Sequence, residues 1–243
     1  WIQWVTVHSG MAYSEHQVFE LGEGGKLDKP CLWDVASRAG RKSWVCGAMN
    51  VRFDPTMNGW VLPDPWAVDT TPHPPSLAPY FKFVQRHVQE YTNDRVPLTR
   101  GDYFRFLGFM LRHGLSFSTI FSILKQLILE RFNKSDWKRA TILDKLQFDL
   151  FRWFYRREKP DLSLYFINST AHFQHKYWRN MEPEEFKLRP GDEEQRLYKD
   201  AVLFGYQEMD RLLGRFVGLA DENTVLIFAT ALSQQPCLVY EDD

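Results

Sequence analysis

The alternation of apolar and polar positions divides the chain into α/β blocks around a helical stretch. Residues 1–8 (WIQWVTVH) are aromatic and β-branched, and their spacing fits either a buried helix start or a strand, broken by Ser9-Gly10. Residues 31–39 (CLWDVASRA) carry apolar side chains at 32, 33, 35, 36 and 39, which predicts a short helix stopped at Gly40. Residues 43–47 (SWVCG) then read as a short buried strand, so helix, glycine and strand form the αβ half of an α/β unit. Between 52 and 79 prolines accumulate (Pro55, Pro63, Pro65, Pro72, Pro74, Pro75, Pro79), which predicts mostly loop, with a helix at 81–91.

Residues 101–158 are strongly helical in pattern. Tyr103, Phe106, Leu107, Met110 and Leu111 recur at steps of three and four, as do Leu124, Leu127 and Ile128, and then Ile142, Leu146, Leu150, Trp153 and Phe154. Gly114 and Asn133-Lys134-Ser135 mark the breaks. Successive helices inside an α/β chain predict a helical insertion or cap over 76–158, with Tyr103, Phe106, Phe117, Phe121 and Trp153 forming its own core. The α/β pattern resumes at 162–167 (LSLYFI), passes a polar connection at 182–191, and continues through one amphipathic helix at 193–218 to a second apolar run at 224–229 (TVLIFA). This order predicts an α/β fold with a parallel central sheet flanked by helices, in which 43–47, 162–167 and 224–229 are adjacent strands. Ligands in such sheets sit beyond the carboxyl ends of the strands, which directs attention to 168–175 and 230–235.

Charge changes the picture by exclusion. The 243 residues carry 30 Lys+Arg against 31 Asp+Glu, so no basic excess exists to neutralise nucleic-acid phosphates. The apolar stretch near 120–129 is interrupted by Lys125 and Gln126, short of the ~20 residues a membrane span needs. Cys31, Cys46 and Cys237 are far apart and odd in number, which fits buried small hydrophobes better than a disulfide framework or a zinc site. Trp1 opens inside an apolar run and no element closes the other end, so the sequence reads as a fragment of a longer chain.

The richest polar cluster is Asn168-Ser169-Thr170-Ala171-His172-Phe173-Gln174-His175. Two histidines three apart after a strand suit either a metal or a hydrogen-bonded structural pair. Residues 230–235 contain no ionisable group, and a hydroxyl without a neighbouring base has no reason to be a nucleophile. His8-Ser9 and Ser14-Glu15-His16 lack the G-x-S-x-G elbow of a hydrolase triad. Asp64, Asp69 and His73 read as solvated loop residues, and Arg152, Arg156, Arg157 and Lys159 as the wet face of a helix end.

The order of these motifs resembles the alkaline phosphatase superfamily, in its type I phosphodiesterase/nucleotide pyrophosphatase-like branch. Residues 1–18 (WIQWVTVHSGMAYSEHQV) are similar to the segment after the nucleophile, 30–47 to the following helix and strand, and 198–219 to the helix between two metal-bearing strands. The resemblance implies an α/β/α sandwich, incomplete over 1–243, and a hydrolase or transferase acting on a small-molecule or glycan phosphate or sulfate ester. It places the nucleophile just before Trp1 and an amide donor for the transferred group at Gln3. The metal-bearing Asp and His of the family fall on Asn168 and His172, with His175 beside them. An alternative register at His175-Lys176-Tyr177 puts Ala171 at the Asp position. The Asp-His pair of the next strand falls on Ala231-Leu232. A full two-metal site is therefore not expected, and one divalent ion, zinc or manganese, is the implied complement. The other expectation is a catalytically inactive relative serving as a binding or assembly module.

Overall fold

The structure is a computed structural model and describes residues 2–68, 70–93, 97–231 and 233–238, with 89–93 as backbone alone. The chain divides into two compact units: Trp1–Ser116 with Leu146–Phe166, and Phe117–Lys145 with Ile167–Asp243.

The first unit is built on a parallel three-stranded sheet. The ambiguous N-terminal run is a helix, α1 (Ile2–Ser9), which turns Val5 and His8 inward and Gln3 and Val7 to solvent. The single turn α2 (Tyr13–His16) and α3 (Leu32–Arg38) follow. β1 (Ser43–Ala48) is buried along its whole length and forms the centre of the order β2-β1-β3, with β2 at Gly59–Pro63 and β3 at Leu162–Tyr165. Both pairings are parallel, with Ser43 opposite Gly59 on one side and Leu162 on the other. The predicted neighbourhood of 43–47 and 162–167 is therefore present.

β2 corrects the expectation of loop across 52–79. Its residues (GWVLP) have strand-forming side chains, and Pro63 occupies the last position of an edge strand, where no donor is needed for the ladder. On the outer edge Val61 exchanges hydrogen bonds with His73, N to O at 2.7 and 2.9 Å, which ties the proline-rich loop to the sheet. Gly59 starts β2 at φ +145°, and a Cβ there would stand 1.9 Å from the Ser43 carbonyl oxygen. Only glycine fits that approach.

The pleat sends successive β1 side chains to opposite faces. Val45 joins Val5, Val18, Leu27, Cys31, Trp33 and Val61 in one buried cluster beneath α1 and α3. Trp44 turns the other way onto Phe151 and Phe154 of α7 (Ala140–Glu158), with ring centroids 6.2 and 5.0 Å away. Cys31 and Cys46 are buried as expected, whereas Cys237 is exposed.

Before α7 come α4 (Ala78–Asn93), α5 (Arg100–Arg112) and α6 (Phe117–Asn133). α5 starts on a capping box in which Thr99 and Asp102 each accept the other's backbone N–H, at 3.3 Å to the hydroxyl and 2.9 Å to the carboxylate. The expected aromatic core fails for three of its five members. Phe106 is buried, but Tyr103, Phe117 and Phe121 are 52%, 90% and 68% exposed. Their helical spacing is real, but it forms a stripe directed at solvent.

In the second unit α8 (Ser169–Met181) packs against α10 (Ala201–Val217) around Phe173, Tyr177, Ala201 and Val202. Trp137 stands edge-on to Phe173 and Phe204 at 6.0 and 5.3 Å. The single helix predicted over 193–218 is two, α9 (Asp192–Tyr198) and α10, separated at Lys199-Asp200. The break lets Tyr198 pack on Tyr177 at 4.9 Å while Ala201 and Val202 enter the core. The predicted strand at 224–229 is absent: these residues form no strand, and Val225 and Ile227 are 85% and 79% exposed. An apolar run becomes a strand only by sharing backbone hydrogen bonds with a neighbour, and no strand lies among the described residues of this unit.

Candidate functional site

The carboxyl edge of the sheet gathers three chain exits: Met49-Asn50 after β1, Asp64 after β2 and Phe166 after β3. Trp4 packs edge-on against Phe166 with centroids 4.8 Å apart, which brings the first turn of α1 to the end of β3. Gln3 lies on that turn with its side chain in solvent. One turn further along α1, His8 is buried beside Trp4 and Trp33, at 6.3 and 5.0 Å between centroids. Neither of its ring nitrogens has a hydrogen-bond partner among the described residues. Burial lowers its pKa to about 4, a shift that the nearby Met49 backbone only partly opposes. The imidazole is therefore neutral at pH 7.

Asp64 is not the solvated loop residue its setting predicts, because it is wholly buried. Its carboxylate accepts N–H bonds from Asn50 at 3.2 Å and Trp66 at 2.9 Å, and burial still raises its pKa to about 6. Asn50 accepts from the Gly22 amide at 2.7 Å and donates to the Glu20 carbonyl at 3.1 Å. These bonds anchor the loops beyond the strands. Among the described residues, neither Ser9 nor Ser14 is hydrogen-bonded to a histidine. Ser9 donates to the Val5 carbonyl, while the His16 ring is held by the Val18 amide and lies 3.2 Å from the Thr6 hydroxyl.

In the second unit Asn168 immediately precedes α8, and its carbonyl accepts the His172 amide at 3.0 Å. His172 keeps an exposed edge but is covered enough for burial to lower its pKa, with Lys176 and His175 acting in the same direction. His175 is exposed, and the Gln234 amide nitrogen lies 3.3 Å from its Nε2. Gln3 belongs to the first unit and Asn168, His172 and His175 to the second. Ala231 supplies no donor atom; Leu232 and Asp69 lie outside the described residues.

The donor set Asn168, His172 and His175 can be tested against the full two-ion centre of the family the sequence resembles. It consists of one amide oxygen and two imidazoles, with no carboxylate or thiolate, and no group of three or more His, Cys, Asp or Glu gathers among the described residues. Two dications a few ångströms apart need carboxylate charge that these residues do not carry. The residues present do not fit a two-ion centre.

Sequence inspection missed two other polar concavities. One, in the second unit, is a cavity of about 250 Å³ whose walls include Asp144, Lys145, Glu208, Arg211 and Arg215. Its signal in the sequence is the 208, 211, 215 spacing, which is also that of an ordinary solvated helix face. The other, in the first unit, is an open cleft of about 400 Å³ formed by Gly114, Arg152, Trp153, Arg156 and Arg157. The predicted wet helix end is thus part of a basic hollow, with the Arg157 guanidinium 5.1 Å from the centre of the Trp153 ring. Comparison with protein-family models, with curated proteins and with solved structures gives no match.

Proposed function

We propose that this chain is an alkaline-phosphatase-like hydrolase or transferase acting on a phosphate or sulfate ester, with an atypical or reduced metal site. The observation that carries the reading is the position of α1: Trp4 on Phe166 puts the helix's first turn at the carboxyl end of a parallel strand. The leading N–H groups of a helix lack intrahelical acceptors and favour anions, so a phosphoryl or sulfuryl group held there meets oriented donors. In this arrangement the Gln3 amide donates to a non-bridging oxygen of the ester. Charge developing on that oxygen is stabilised by donors already in place. No step is assigned to a metal, because Asn168, His172 and His175 do not fit the two-ion centre.

The lack of a carboxylate in that same donor set favours a second reading, a catalytically inactive relative that keeps the fold as a binding or assembly module. The two are separated by assaying the full-length protein on an aryl phosphate and an aryl phosphodiester, with zinc or manganese supplied and bound metal quantified. Turnover that falls tenfold or more in Gln3→Ala supports the enzyme. Absence of turnover on both esters under both metals supports the binding module.

A further inference from the structure

The cavity in the second unit is lined by α6, α10 and the part of α7 up to Lys145 that belongs to that unit. α6 contributes Ser118, Thr119 and Ser122; α7 contributes Thr141, Asp144 and Lys145; α10 contributes Glu208, Arg211 and Arg215. We propose that this cavity binds the phosphoryl group of a small phosphomonoester metabolite.

Charge is the first reason. Lys145, Arg211 and Arg215 bring three cations to the wall. The facing Glu208 is already engaged, one oxygen with Lys145 at 2.7 Å and the other with Arg211. These contacts hold its carboxyl below the usual range despite burial. Asp144, the second acid, is half-buried and accepts a hydrogen bond from Ser169 Oγ; desolvation raises its pKa to about 7, so at neutral pH it carries only part of a negative charge. The sum is positive in a cavity partly screened from water, where a charge-assisted bond to an oxyanion gains strength.

Geometry is the second reason. Glu208 links Lys145 on α7 to Arg211 on α10, so two cationic heads are brought together before any ligand arrives. Ser118 and Thr119 belong to the first turn of α6, an end of a helix that favours anions. Thr119 and Thr141 are almost fully buried, so these hydroxyl-bearing walls are built into the packing rather than scattered over the surface. The volume, about 250 Å³, is below the roughly 300–1,000 Å³ of drug-sized pockets. It suits a phosphoryl group with a short carbon skeleton, and Leu212 supplies the apolar lining for the latter. Guanidinium forks match phosphate geometry better than single-point donors do.

This site does not rest on the proposed ester chemistry, and its test reads binding rather than turnover. Isothermal titration calorimetry of the chain is run at constant ionic strength with inorganic phosphate, glycerol phosphate and glycerol. Saturable binding of phosphate and glycerol phosphate at one site per chain, with glycerol silent, is expected. Arg215→Gln is expected to weaken both by about tenfold or more, the value of one charge-assisted bond, with an unchanged circular dichroism spectrum. Lys145→Gln, which also releases Glu208, should do the same. Arg156→Gln, in the other cleft, should leave binding within twofold. Absence of saturable binding, binding of phosphate without the ester, or binding insensitive to Arg215→Gln overturns the proposal. Loss of binding in Arg156→Gln also overturns it.

Discussion

His8 makes the stability of the first unit dependent on acid in a way that can be isolated. Its folded pKa is about 4 against an ordinary value of 6.5. Below pH 6.5 the unfolded chain therefore binds a proton that the folded chain refuses. Stability contributed by the neutral imidazole is complete above pH 6.5 and is lost as pH falls towards 4. The difference of 2.5 between the two values, at 1.36 kcal/mol each, gives a loss of about 3 kcal/mol in strong acid and about 2 kcal/mol at pH 5. Asp64 works in the opposite sense: its folded pKa is raised from 3.8 to about 6, so its contribution falls as pH rises through that window. The comparison must therefore be between wild type and His8→Leu, in which the Asp64 effect is common and cancels. Urea unfolding followed by tryptophan fluorescence suits the purpose, because Trp4 and Trp33 flank the ring. Wild type should lose ~1 M more in urea midpoint than His8→Leu between pH 7 and pH 5, taking ~2 kcal/mol per molar for the denaturant slope. At pH 7 the variant should be no less stable, since it removes two buried nitrogens without partners. Equal pH dependence in the two proteins, or a His8 pKa above 6 measured by NMR, would refute the reasoning.

Asp34→Ala should destabilise the first unit by about 3–5 kcal/mol in urea unfolding, because its buried carboxylate accepts the Cys31 and Asp54 amides, each at 2.9 Å, and pairs with Arg52. Gly205→Ala should cost about 1–3 kcal/mol, since the new Cβ would stand 2.6 Å from the buried Phe173 ring. Gly214→Ala on the same helix meets nothing within 4 Å and should instead raise the melting temperature, by about 0.5–1 kcal/mol of helix propensity. Replacing Phe121 and Ile128 together by Gln should shift stability by no more than ~0.5 kcal/mol each, because both side chains are exposed. A loss of several kcal/mol in that thermal melt would restore them to a core.

The sequence by itself determined the elements whose signals are local. Periodicity and stop residues located α3, α4, α5, α6 and α7, and continuous apolar runs located β1 and β3, because spacing and turn chemistry act within a few residues. The parallel pairing of β1 with β3 also followed, since an intervening crossover leaves little else for two buried runs to do. Tertiary structure decided what depends on a partner distant in the chain. The run at 224–229 had the composition of a strand and lacked the neighbour that would make it one. β2, in a proline-rich stretch, became a strand because β1 lay open beside it. The stripe on α6 had the period of a core helix, yet period records only that one face is apolar and not what covers it. The candidate sites divide in the same way. Asn168, His172 and His175 stood out as residue types after a strand, and Gln3 through the resemblance alone. Asp64, His8 and Asp144 did not, because desolvation sets their protonation and desolvation is a property of the packed chain.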